Sequence, residues 1–230
     1  MKHWRIGAAS IAAFAGAAHA EPGGTSDVYG PGVERGEAEF EYRGALFTGD
    51  VLDGAAAHRL EAGYAITDWW RPALAIQAVD PPGQSAELTA IAIENVFDFK
   101  ATQSWPVHLG GYFEYTFGQN GADDAIEFKL LSERQDGALT SRINLIAERD
   151  VGDGVSHEWE YGYAARFMWR ASDRWAFGVE GFGEPEAHAH YWGPRLSLGV
   201  GESSLALGYL AGFDEAEADG QFRVAFEIEN

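Results

Sequence analysis

Glu184, Glu186, His188 and His190 stand at alternate positions, so an extended backbone would turn all four side chains to one face. Two carboxylates and two imidazoles are a donor set for a divalent transition metal, with His188 and His190 as its nitrogen ligands. No hydrogen-bond partner that would orient either ring is marked in the sequence, so the same alternation also reads as an ordinary polar loop. Ser156 beside His157 offers a hydroxyl and a base, but adjacent strand residues point to opposite faces, which spoils direct nucleophile–base contact. Ser132, Ser141 and Ser197 lack a recognisable partner spacing. There is no Gly-x-Ser-x-Gly elbow, His-Glu-x-x-His motif or phosphate-binding Gly-rich loop. A lipid hydrolase is therefore the least supported reading: the chain reads as a non-enzyme that requires no cofactor.

The remaining chemistry is charge, and its placement depends on the elements that carry it. After a leader, the chain runs as about twelve segments of roughly ten residues in which apolar and polar residues alternate, a period of two that belongs to strands. In one segment Trp159, Tyr161, Tyr163, Ala165, Phe167 and Trp169 alternate with Glu158, Glu160, Gly162, Ala164, Arg166 and Arg170. Strands are expected near 37–47, 57–67, 70–79, 86–99, 105–117, 124–133, 138–149, 157–170, 174–183, 190–200, 204–213 and 220–229. Their length suits a tilted crossing of a bilayer. The expected fold is all-β, a single antiparallel up-and-down transmembrane barrel. A soluble sandwich or lipocalin-like barrel is the competing architecture. Aromatic residues at both ends of the apolar faces weigh against it: Trp69, Trp70, Phe97, Phe99, Trp105, Trp169 and Trp175 at one level, Phe117, Trp159, Tyr161, Tyr191 and Trp192 at the other.

Residues 1–20 have a basic start at Lys2 and Arg5, an apolar stretch from Ile6 to Ala17 and an Ala18-His19-Ala20 ending, the pattern of a cleaved secretory signal peptide. Residues 21–36 are then expected as a periplasmic segment ahead of a barrel over 37–230, in the outer membrane of a two-membrane envelope. The expected partners are outer-membrane lipid, lipopolysaccharide and, during insertion, the barrel assembly machinery. The chain has no Cys, so no disulfide or lipidated thiol can tether it. Its formal charge of −20 becomes −22 without Lys2 and Arg5, which argues against nucleic acid as a partner.

If the apolar faces meet lipid, the other faces line the lumen. They carry Glu39, Glu41, Glu61, Glu94, Glu114, Glu127, Glu148, Glu158, Glu160, Glu180 and Glu227 against Arg43, Arg59, Lys129, Arg142, Arg166, Arg170, Arg195 and Arg223. Such charges pair across a narrow lumen, either as a structural filler or as the wall of a narrow pore. The longer loops hold Asp50, Asp53, Asp80, Asp123, Asp150, Asp153, Glu184, Glu186, Asp214, Glu215, Glu217 and Asp219, with no Lys or Arg among them. A ring of carboxylates concentrates cations and repels anions. It also suits simple solvation, or divalent cations that bridge lipopolysaccharide phosphates. Two functional readings follow: porin-like passage of small neutral or cationic solutes, and a structural or surface-interaction barrel with a salt-bridged, closed lumen.

Val33-Glu34-Arg35-Gly36-Glu37, Gly63 to Trp70, Glu94-Asn95-Val96-Phe97, Glu148 to Gly154 and Gly193-Pro194 together resemble an uncharacterised group of proteobacterial outer-membrane barrel proteins. The resemblance spans nearly the whole mature chain. It implies fold and location, and no catalytic or ligand residues.

Overall fold

The computed structural model describes residues 23–230, so the expected signal peptide lies outside the described residues. Twelve antiparallel strands follow one another in chain order: β1 (Ala38–Thr48), β2 (Ala56–Tyr64), β3 (Trp70–Asp80), β4 (Glu87–Asp98), β5 (His108–Gly118), β6 (Asp124–Asp136), β7 (Leu139–Val151), β8 (Glu160–Arg170), β9 (Trp175–Glu184), β10 (Ala189–Val200), β11 (Ser203–Asp214) and β12 (Gly220–Glu229). Each pairs with its neighbours, and β1 closes on β12 from Glu39↔Glu229 to Thr48↔Gly220. Closure leaves no strand edge unpaired. The β1–β2, β3–β4 and other odd-to-even connections lie at one end, here the loop end, and the even-to-odd connections lie with the terminus of β12 at the turn end.

The alternation sorts the side chains as expected. Phe40, Leu60, Leu74, Ile93, Phe128, Leu145, Leu207 and Phe222 are exposed on the outside, whereas Glu41, Arg43, Arg59, Glu61, Glu94 and Glu180 are buried inside. An apolar exterior around a charged interior inverts a water-soluble barrel and suits immersion in hydrocarbon. Proline is tolerated at one point by a local concession. The β10–β11 ladder skips Gly193 and Pro194, and a Cβ on Gly193 would run into the Tyr209 carbonyl.

Four expectations change. Trp105 belongs to the β4–β5 connection, which holds a short 3-10 turn, and β5 begins at His108. Glu158, expected in the lumen, is an exposed loop residue because β8 begins at Glu160. Tyr191, expected in an aromatic girdle, is fully buried inside the barrel, on the same face as Arg195 four residues along β10. Its hydroxyl donates to the Ala218 carbonyl at 3.1 Å and accepts from the Ala218 N–H at 3.0 Å, pinning the β11–β12 loop. Tyr191→Phe strands both Ala218 groups, so a loss of about 1–3 kcal/mol is expected in urea unfolding of the detergent-solubilised barrel.

The largest departure is at the N-terminus. Of residues 21–36, expected as a segment ahead of the barrel, 23–33 run through its interior from the loop end to the turn end, and 34–36 lie exposed at the turn end. Gly24 N–H donates to Gln221 Oε1 at 2.9 Å next to the start of β12, and Val33 N–H donates to Asp98 Oδ2 at 3.2 Å at the end of β4. Gly30 lies where a side chain would meet the Arg142 guanidinium at 2.9 Å, and Gly110 of β5 lies where one would meet Pro31 at 2.7 Å. Glycine at both positions lets the segment pass close to the wall.

Candidate functional site

The candidate site is the lumen together with the segment that crosses it. Two apolar clusters hold that segment. Toward the loop end, Val28 packs with Phe47, Leu52, Phe182, Tyr191 and Leu210; toward the turn end, Tyr29 and Val33 pack with Ala65, Val96, Tyr112 and Leu131. Polar contacts fix its register. Asn144, fully buried on β7, accepts from Tyr29 N–H at 2.8 Å and donates to the Tyr29 carbonyl at 3.0 Å, so it pairs with the segment as another strand would. Lys100 Nζ donates to the Val33 carbonyl at 2.8 Å.

Tyr29 is the centre of this arrangement. Its ring lies 4.8 Å from that of Tyr112, and Lys129 Nζ sits 4.8 Å and 4.5 Å from the two ring centroids. Its hydroxyl donates to Glu94 at 3.0 Å and accepts from Arg43 at 3.1 Å. Tyr29 lines a cavity of about 60 Å³ toward the loop end and another of about 270 Å³ toward the turn end, and it stands between them.

The wall charges form two networks. On β1–β6, Arg43 bridges Glu41 at 3.1 Å and also pairs with Glu61; Arg59 bridges Glu114 at 2.6 Å and pairs with Glu94; Arg71 pairs with Glu39; and Lys129 bridges Glu127 at 3.0 Å. On β8–β12, Glu180 takes Arg195 at 2.9 Å, Arg166 at 3.3 Å and Arg223 at 3.4 Å, with Arg166 also paired to Asp27 of the crossing segment. Gly208 leaves room here, since a Cβ would stand 3.3 Å from Glu180 Oε1. Of the expected lumen residues, Glu39, Glu41, Arg43, Arg59, Glu61, Glu114, Lys129, Arg166 and Arg223 are buried inside, and Glu127 and Arg195 are largely so. Arg142 is half-buried and bridges Glu133 at 2.6 Å, while Glu160 and Arg170 are exposed at the two ends of β8. His108 meets Asp98 at 2.8 Å beside Lys100, a structural contact at the turn end.

Sequence reasoning missed Arg71, Asn144, Gln221, Asp27 and Tyr29. Arg71 was legible, because it shares the alternation of Ala73 and Ala75, which pair with Glu94 and Glu61. Asp27 and Tyr29 lie in a stretch with no periodicity to read.

At the loop end, Asp53, Asp150, Asp153, Glu186, Asp214 and Glu215 are exposed and Glu184 is partly so; the side chain of Asp50 lies outside the described set. The four residues expected as a metal site do not share a face. His188 sits exposed in the β9–β10 turn with a left-handed φ of 55°, and His190 on β10 lies 3.3 Å from the Tyr163 hydroxyl. The turn interrupts the extended backbone that alternation requires. Among the described residues, the acidic or imidazole groups whose ligand atoms converge are Glu39–Glu41–Glu61 and Glu39–Glu227–Glu229, and Arg43 and Arg71 already face them.

The barrel superposes on solved channel structures. The KdgM porin matches with a TM-score of 0.63 at 9% identity, over 83% of this chain and 98% of that one. The fold is that of outer-membrane porin barrels. The NanC porin matches with a TM-score of 0.60 at 11% identity, over 82% of this chain and 98% of that one. An outer membrane channel from Pseudomonas putida F1 matches with a TM-score of 0.60 at 11% identity, over 91% of this chain and 99% of that one. No protein-family model and no curated protein sequence matches the chain. At these identities the likeness is one of fold.

Proposed function

We propose that this protein is a narrow outer-membrane channel for small neutral or cationic solutes, held shut in this conformation by its own residues 23–34. The observation that carries the reading is the position of Tyr29, which lines both polar cavities of the lumen and stands between them. The loop end faces outward in this reading, and its acidic residues set the sign of the ions that reach the mouth. Lipopolysaccharide and divalent cations are the natural partners of that acidic rim. The neighbouring porins lend the fold, and the solute preference rests on this chain's own charges.

A second reading has its own support. The wall carboxylates and cations pair so thoroughly, and Val28 and Val33 pack so tightly, that the lumen resembles a core. A permanently closed structural barrel would look the same. Planar-bilayer recordings under a salt gradient separate the two. Steps with a cation-selective reversal potential are expected, and replacing Asp53, Asp153, Glu186 and Glu215 by their amides should lower the cation preference severalfold, within the roughly tenfold or greater effect that focused surface charge has on local ion concentration. A reversal potential indifferent to those amides removes the mouth from the argument.

A further inference from the structure

The β1–β6 wall carries more carboxylates than cations, whereas on β8–β12 three guanidiniums, those of Arg166, Arg195 and Arg223, converge on Glu180 alone. Three positive charges around one carboxylate leave a place for a second anion. In this structure Asp27 takes it, paired with Arg166. The same arginines grip the backbone on either side, since Arg166 donates to the Val28 carbonyl at 3.5 Å and Arg223 donates to that of Ser26. Asp27 therefore offers the arginines the group that a free solute could offer in its stead.

The surroundings narrow the solute further. Asp27, Arg166 and Arg195 line the 270 Å³ cavity, and so do Glu39, Glu41 and Glu227, together with Arg71 and Arg142. Among the described residues Glu227 is met by the Ser204 hydroxyl, at 3.3 Å, and by no cation. Glu39 and Glu41 already face Arg71 and Arg43, so with a carboxylate on the arginines it is Glu227, on the same cavity, that is left to meet an ammonium group. A net anion would be repelled at the acidic mouth, and a net-neutral molecule would not.

We propose that the arginine trio on Glu180 binds the carboxylate of a small zwitterionic solute, and that Asp27 occupies this site in the closed state, so that the solute and the crossing segment compete. The proposal rests on the channel reading only in requiring that the segment can leave the lumen.

The chain has no native thiol, so Val28→Cys, at a fully buried position of the segment, reports its departure to a hydrophilic maleimide. Glycine is the probe because, being net neutral, it leaves ionic strength unchanged. In the full mature chain, saturating glycine is expected to speed labelling about tenfold, as for a minor state raised from a few per cent. Glycinamide, which lacks the carboxylate, should leave labelling unchanged at matched chloride. Adding Asp27→Asn should make labelling fast without glycine and insensitive to it. Equal responses to glycine and glycinamide, an undiminished glycine response in Asp27→Asn, or no labelling under any condition each overturn the proposal. Val33→Cys serves as a second reporter should Val28→Cys fold poorly. A silent barrel lacking the segment would sink the channel reading while leaving the labelling result to stand on its own.

Discussion

A mature chain lacking residues 21–34 is expected to give long-lived open steps in planar bilayers where the intact chain gives brief, rare ones. The truncation takes away the Tyr29 ring, the Asp27 carboxylate and the Val28 and Val33 anchors, and it leaves every strand pair in place. The polar wall groups that lose partners, among them Asn144, Gln221, Arg43, Glu94, Arg166 and Arg223, regain water as the lumen fills. Phe47, Leu52, Phe182, Leu210, Val96 and Leu131, by contrast, lose apolar contacts, a stability cost that the strand pairing has to carry. If the segment leaves spontaneously in about 0.1–10% of molecules, removing it raises mean conductance by roughly 10- to 1,000-fold. Asp27→Asn combined with Tyr29→Ala keeps the chain length and should fall between the two. A truncated barrel that still migrates as a folded, heat-modifiable species but carries no current would show that the paired wall charges alone close the lumen, and the structural reading would then hold.

Glu180→Gln is expected to be among the most damaging single changes in the wall. Glu180 has no exposed surface and its two oxygens face Arg166, Arg195 and Arg223. Neutralising it leaves three buried guanidiniums with Asp27 as their nearest counter-charge. Removing one partner of a buried ion pair typically costs about 3–5 kcal/mol, because the surviving charge stays desolvated. Urea unfolding in detergent micelles measures the loss. Arg195→Gln should cost less, since two arginines still meet the carboxylate. Combining Glu180→Gln with Arg223→Gln should recover part of the deficit by removing an unpaired charge. A Glu180→Gln barrel within about 0.5 kcal/mol of the parent, the range of an ordinary surface change, would mean that water already screens this cluster.

How much was legible varies with how local the signal is. The strand segments were readable to within a few residues because period-two alternation is written in adjacent positions, and the same alternation assigned Arg43, Arg59, Glu61 and Arg166 to the interior. Boundaries slipped at Glu158, where nothing between it and β8 breaks the alternation, and at Trp105, although Pro106 directly after it marks the break before β5. The histidine pair failed for the same kind of reason: alternation through 184–190 presumed an extended backbone, and a left-handed residue at His188 ends it.

By itself, then, the sequence determined the barrel, its strand number and its apolar outside, because those follow from one repeated local pattern and from closure. Only the tertiary structure decided that residues 23–33 thread the lumen, that Asp27 stands among arginines, and that Glu180 gathers three guanidiniums from three strands. Those contacts join residues 115, 139 and 197 positions apart, as in Tyr29–Asn144, Asp27–Arg166 and Gly24–Gln221. A Gly- and Pro-containing stretch without periodicity carries no local mark of its partners. Its place is set by burial and charge that exist only once the wall has closed around it.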